Sequence, residues 1–165
     1  SGVILFDETI RQAADDGTPF AELLAQRGMI PGIKVDRGAK SLAGAPGEKV
    51  TEGLDGLRER LDEYRELGAR FTKWRAVIAI ATDLPSAYAI RVNAQALARF
   101  AALSQEAGLV PIVEPEVLMD GEHTIERSLE ATSRTLQAVF AELVAQRVRL
   151  EATLLKPNMF LPGYA

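Results

Sequence analysis

Four charged residues recur at nearly constant intervals along the chain: Lys34, Lys73, Glu114 and Lys156, separated by 39, 41 and 42 positions. Three of them are followed two residues later by a second charge, Asp36 after Lys34, Arg75 after Lys73 and Glu116 after Glu114. On a strand, a spacing of two puts both members of a pair on one face. A lysine amine beside a carboxylate proton shuttle suits attack on a carbonyl, and the surplus of positive charge suits a phosphorylated substrate. The chain has no cysteine and a single histidine. A thiolate nucleophile and a multi-histidine metal cage are therefore excluded.

Only a neutral amine attacks a carbonyl, so a lysine pKa near ~10.4 must fall, through desolvation or a neighbouring cation. Full burial lowers a lysine pKa by roughly 3–5, each unit being about 1.36 kcal/mol. Lys156 is the best-placed nucleophile because it follows Thr153-Leu154-Leu155 at the end of an apolar segment. Lys73 is the candidate cationic neighbour. Glu114, on the segment between them in sequence, is the candidate proton carrier.

These residues need a scaffold that presents equivalent points of successive segments at one end. Gly28, Gly68 and Gly108, 40 residues apart, each close an apolar-periodic stretch, as a helix-terminating glycine does. Each is followed by a strand-like segment, 29–36, 69–80 and 109–116, with further candidates at 3–6 and 152–156. Their short apolar character predicts strands buried on both faces.

Between them the period changes to helical. Leu54, Leu57, Leu61, Tyr64 and Leu67 share one face, and Ile125, Leu129, Thr132, Leu136, Val139, Phe140, Leu143 and Val144 repeat the pattern. Pro85 opens a helix running toward Gly108, at its first turn, and a weaker helical stretch spans 7–27, interrupted near Gly17-Thr18-Pro19. Alternating strands and helices predict an α/β fold, a single domain over 1–165 with a parallel sheet. Five βα units leave two architectures, an open doubly wound sheet or an incomplete eight-stranded barrel with about five of its units. In either, strand C-terminal ends carry the active site, which is where the charged pairs fall.

A formal net charge of −4 does not favour nucleic acid or anionic lipid as partner, and no apolar run approaches the roughly 18 residues a spanning helix needs. The absence of cysteine fits a reducing compartment. Gly44-Ala45-Pro46-Gly47-Glu48-Lys49 lacks the spacing of a phosphate loop and reads as a surface loop. Ser1-Gly2 running directly into Val3-Ile4-Leu5-Phe6, and the stop soon after Pro162-Gly163, predict a piece of a longer polypeptide.

Six segments in order, Gly2 to Phe6, Gly32 to Asp36, Gly53 to Leu57, Lys73-Trp74-Arg75, Val113 to Glu116 and Leu154 to Met159, make the chain resemble class I fructose-bisphosphate aldolase along essentially its whole length. The resemblance implies a metal-free TIM barrel with no cofactor beyond a covalent lysine imine, usually a cytoplasmic homotetramer. It also implies an enzyme that cleaves fructose 1,6-bisphosphate to dihydroxyacetone phosphate and glyceraldehyde 3-phosphate, in glycolysis and gluconeogenesis. By position it makes Lys156 the imine-forming lysine and Glu114 the general acid/base. Lys73 becomes the lysine beside the reacting carbons, and Glu116 the carboxylate that helps to place it. Lys34 and Arg75 become residues for substrate hydroxyls and the distal phosphate, with Asp36, on the strand face of Lys34, as a further substrate-binding candidate. Arg37 stands where many relatives have lysine. The resemblance also places a first-strand aspartate upstream of Ser1 and the other phosphate site downstream of Ala165, so the chain alone is expected to be an inefficient enzyme.

Trp74 alternates away from Lys73 and Arg75 and is expected between sheet and helices. His123 and Tyr164 read as exposed loop residues. A transaldolase-like or deoxyribose-phosphate-type enzyme would share the lysine logic but not the six segments. The alternative of another class is a non-catalytic barrel piece acting as an assembly or binding module.

Overall fold

A computed structural model describes residues 1–164. Five parallel strands form one sheet in the order β1 (Gly2–Leu5), β2 (Ile30–Lys34), β5 (Phe71–Ile78), β6 (Val110–Val117), β7 (Leu154–Leu155). Their connections carry α1 (Asp7–Ile10), α2 (Phe20–Gln26), α3 (Leu57–Glu66), α4 (Ala87–Glu106) and α5 (Ile125–Ala145). A short antiparallel hairpin, β3 (Ala39–Ser41) and β4 (Lys49–Thr51), interrupts the β2–α3 connection.

The three punctuating glycines behave as their spacing predicts, with φ of 72° at Gly28, 105° at Gly68 and 75° at Gly108. Each ends a helix in a conformation that costs a residue with a Cβ. The helical stretch over 7–27 resolves into the short α1 and α2. Helix α4 starts at Ala87, two residues later than expected from Pro85. Ser86 is its cap, accepting from the Ala89 amide at 3.1 Å, and Pro85 lies outside the helix. Pro85 lacks a hydroxyl, so Ser86 supplies the acceptor that the first turn needs.

Strand alternation divides β5 cleanly. Thr72, Trp74, Ala76 and Ile78 are buried against the helices, while Phe71, Lys73, Arg75 and Val77 are half-buried on the concave side. The expectation of strands buried on both faces therefore fails on the concave face, because helices cover only the other one. Trp74 is fully buried and stacks on Phe100 of α4 with ring centroids 5.6 Å apart. On the concave side the Phe71 ring lies against Gly32, where an added Cβ would sit 2.2 Å from it.

Of the face expected of helix α5, only Thr132, Val139 and Leu143 are buried. Ile125, Leu129, Phe140 and Val144 are exposed, and the face turned inward carries Ser128, Ala131, Thr132, Thr135, Val139 and Leu143. Small residues let α5 approach the sheet and α4 closely. The 44–49 segment is a loop as expected up to Glu48, with Lys49 opening β4, and Glu48 is buried and accepts from the Ser86 amide at 2.8 Å and its hydroxyl at 2.5 Å.

Candidate active site

The charged pairs converge where β2 ends at Lys34, β5 is at mid-strand with Lys73 and Arg75, β6 is in its second half with Glu114 and Glu116, and β7 has just ended before Lys156, so on β5 they lie short of the expected C-terminal end. Register explains the convergence: Lys34 pairs with Lys73, and Arg75 with Glu114. The ladder continues one step past β7, where the Lys156 amide donates to the Val113 carbonyl at 2.9 Å, so the Lys156 side chain starts beside that of Glu114.

Glu114 is the centre of the cluster, with 3 % of its surface exposed. Lys156 Nζ donates to its Oε1, while Lys73 Nζ forms an ion pair with its Oε2. Burial pushes the Glu114 carboxyl pKa up. The bonds and charges of Lys156 and Lys73 outweigh it and hold the group below the usual carboxylate range. The two lysines differ in surroundings: the Lys73 side chain is 14 % exposed and that of Lys156 is 59 % exposed. The desolvation expected for Lys156 is thus not provided by the described residues, because β7 is a two-residue edge strand with both residues exposed.

Two further pairs flank this centre. Arg75 donates from Nε to Glu116 Oε2, with Nη2 in the same ion pair. Glu116 therefore engages Arg75, whereas the resemblance assigned it to placing Lys73. Lys34 Nζ donates to Asp36 Oδ1 at 2.7 Å and to the Asp36 carbonyl at 3.1 Å. Buried Asp36 also accepts from the Gly38 amide at 3.1 Å and from the Arg75 amide at 3.4 Å. Its oxygens thus hold Lys34 and the middle of β5.

Sequence reading missed Asn158, Thr51 and Asn93. Asn158 Oδ1 accepts from the Val117 amide at 3.2 Å and its Nδ2 donates to Thr132 Oγ1 at 3.1 Å, tying the segment after Lys156 to β6 and α5. A buried amide in the apolar face of α4 was the available signal for Asn93. His123 is half-buried, not solvated; its ring nitrogens are enclosed with no partner among the described residues, and its carbonyl accepts from Gly163. Tyr164 is exposed as expected. Among the described residues no group of three or more His, Cys, Asp or Glu is placed to hold a metal ion, and no helix is long and apolar enough to cross a membrane.

The arrangement is a buried carboxylate shared by two amines, between two further cations. The sequence profile described as "Fructose-bisphosphate aldolase class-I" matches residues 1–165. The chain belongs to the class I fructose-bisphosphate aldolase family. It is 63 % identical over 163 residues to the "Probable fructose-bisphosphate aldolase class 1" of Xanthomonas campestris pv. campestris, covering 99 % of this chain and 49 % of that protein. It is 55 % identical to "Fructose-bisphosphate aldolase 6, cytosolic" of Arabidopsis thaliana, covering 99 % of this chain and 46 % of that one. The solved fructose-bisphosphate aldolase of Plasmodium falciparum, in complex with TRAP and a small-molecule inhibitor, matches with a TM-score of 0.96 at 48 % identity, over 99 % of this chain and 48 % of that chain. The chain thus spans about half the length of the aldolases it matches. Its sheet is an arc of the aldolase (β/α) barrel, which removes the open doubly wound alternative and the transaldolase-like and deoxyribose-phosphate-type readings.

Proposed function

We propose that this chain carries the imine-forming part of an aldolase site that cleaves fructose 1,6-bisphosphate, with Lys156 as nucleophile, Glu114 as proton carrier and Lys73 as the cation that holds Glu114 charged. The observation that supports this best is the single buried carboxylate held by both lysines. Glu114 takes a proton from the Lys156 ammonium across their hydrogen bond. The freed amine lone pair then forms a C–N bond to the ketose C2 while the carbonyl electrons move to oxygen. The same carboxyl gives that proton to the oxygen, takes a second from the nitrogen that attacked and delivers it to the new hydroxyl, which leaves as water and gives a protonated imine. The C3–C4 bond breaks with its electron pair drawn toward the iminium nitrogen, the C4 hydroxyl gives its proton to the Glu114 carboxylate, and the aldehyde departs. Protonation of the enamine at C3 and hydrolysis of the imine release the ketone and restore the amine.

Lys34 and Arg75 supply fixed positive charge for phosphate and hydroxyl groups, and Asp36 and Glu116 fix where that charge sits. The reading needs no metal or organic cofactor. It includes a cytoplasmic setting, supported by the cytosolic plant relatives, and a homo-oligomer, a tetramer in the complete protein. Nucleic acid and membrane have no part in it.

Borohydride reduction in the presence of dihydroxyacetone phosphate tests it. A stable mass increment on the chain, abolished by Lys156→Arg, is expected; no increment overturns imine chemistry for this chain. A second reading, a non-catalytic assembly module, is favoured by the exposed apolar residues Ile4, Ile30, Val110 and Leu154, which line one pocket with Phe71. It requires self-association without the increment.

A further inference from the structure

The backbone that carries Arg75 is not held by its neighbouring strand on one side. The main-chain bonds between β2 and β5 end where the Val35 amide donates to the Lys73 carbonyl at 3.1 Å, yet β5 runs on to Ile78 with β6 paired along its other edge. Lys73 and Arg75, two apart, direct their N–H and C=O groups to the β2 side. At Arg75 both groups meet side chains in place of a strand: the amide donates to Asp36 Oδ2 at 3.4 Å, and the carbonyl accepts from Thr51 Oγ1 at 2.8 Å.

Thr51 is itself fixed from behind. It is the last residue of β4, 3 % exposed, and its amide donates to Asn93 Oδ1 at 3.3 Å. Asn93, 2 % exposed on α4, donates from Nδ2 to the Lys49 carbonyl at 2.8 Å and the Ala89 carbonyl at 3.0 Å. The path α4, Asn93, Thr51, Arg75 joins the largest buried helix to the peptide from which the guanidinium projects. Neither Thr51 nor Asn93 carries charge, and neither belongs to the cluster around Glu114.

We propose that Thr51, anchored by Asn93, is a positioning residue that sets the placement of the Arg75 guanidinium toward the substrate. The proposal rests on the reading of Arg75 as a substrate-binding residue. Thr51→Val keeps the shape of the side chain and removes one donor, leaving the Arg75 carbonyl unpaired; Thr51→Ser keeps the donor. One hydrogen bond is worth about a three- to tenfold change in an equilibrium constant.

The test measures borohydride trapping of fructose 1,6-bisphosphate as a function of its concentration. Thr51→Val is expected to raise the half-saturating concentration about three- to tenfold with a limiting rate within about twofold of the parent, and Thr51→Ser to restore both. In an Arg75→Ala background Thr51→Val is expected to have no further effect. An equal effect in that background, or failure of serine to rescue, overturns the proposal. A parent chain that forms no adduct defeats the functional reading instead, and positioning is then read without ligand. Hydrogen exchange at the Arg75 Nε–H is expected to quicken in Thr51→Val and not in Thr51→Ser, while the Trp74 indole signal stays in place. An unchanged Arg75 exchange rate overturns the proposal on that measurement alone.

Discussion

Lys156 donates to one oxygen of Glu114 from a side chain that is largely open to solvent, while the carboxylate it reaches is almost completely buried. The pair thus joins an accessible amine to a base shielded from water. Glu114→Gln keeps the size and one acceptor but cannot carry a proton between lysine and substrate oxygen. Adduct formation at Lys156 is expected to slow by about 10²-fold or more, the range of positioned acid–base groups. Time courses of borohydride trapping with dihydroxyacetone phosphate measure this; a Gln variant trapped at the parental rate removes Glu114 from the mechanism.

The same cluster makes a pH-dependent contribution to folding. The Glu114 pKa is lower in the folded chain than its ordinary value of 4.5. A lowered carboxylate pKa gives stability that is fully present above the unfolded value and is lost as pH falls through the folded one. Urea unfolding from pH 7 down to pH 2 is therefore expected to show the parent's advantage over Glu114→Gln shrinking below about pH 4.5. A pH-independent difference would show that the two lysines do not stabilise the charged form.

Chemistry was more legible in the sequence than packing. Lys34, Lys73, Glu114 and Lys156 stood out because a charged residue in an apolar strand is conspicuous and because parallel strands bring equivalent positions together. The apolar stripe of α5 was legible only in part, through Thr132, Val139 and Leu143, because periodicity finds an amphipathic face without saying which side packs. Here Ser128, Ala131, Thr132 and Thr135 allow close approach, and Leu129 and Phe140 point out. The β3–β4 hairpin was invisible, since three-residue strands such as Ala39–Ser41 have no resolvable period. Asp36 looked like a substrate ligand by its strand position, and only the geometry shows its oxygens turned to Lys34 and the β5 backbone.

Close packing on the concave side gives a prediction at Gly32. An alanine Cβ there would overlap the Phe71 ring at 2.2 Å. Gly32→Ala is expected to destabilise the chain by about 1–3 kcal/mol, as overpacking does, and Phe71→Leu in the same chain to recover part of the loss. Urea midpoints of the two single variants and the double variant measure the coupling; simple additivity would mean that ring and glycine are not in contact in solution.

Trp74 is the only tryptophan and is fully buried against Phe100. Its fluorescence is expected to be blue-shifted in the folded chain and to move red on unfolding. Trp74→Ala is expected to cost about 3–5 kcal/mol, the usual range for deleting a large core aromatic. A red-shifted emission before any denaturant is added would contradict the packing between sheet and α4.

The central claim is that, of the five lysines in the chain, Lys156 is the nucleophile. Peptide mapping after borohydride reduction with dihydroxyacetone phosphate tests it most directly, since the reduced imine is a permanent mark on the nitrogen that attacked. The account predicts the adduct on the peptide containing Lys156 and unmodified Lys34 and Lys73. An adduct on Lys73 with Lys156 unmodified would contradict it, because the buried amine would then be the nucleophile and the exposed one its charged neighbour.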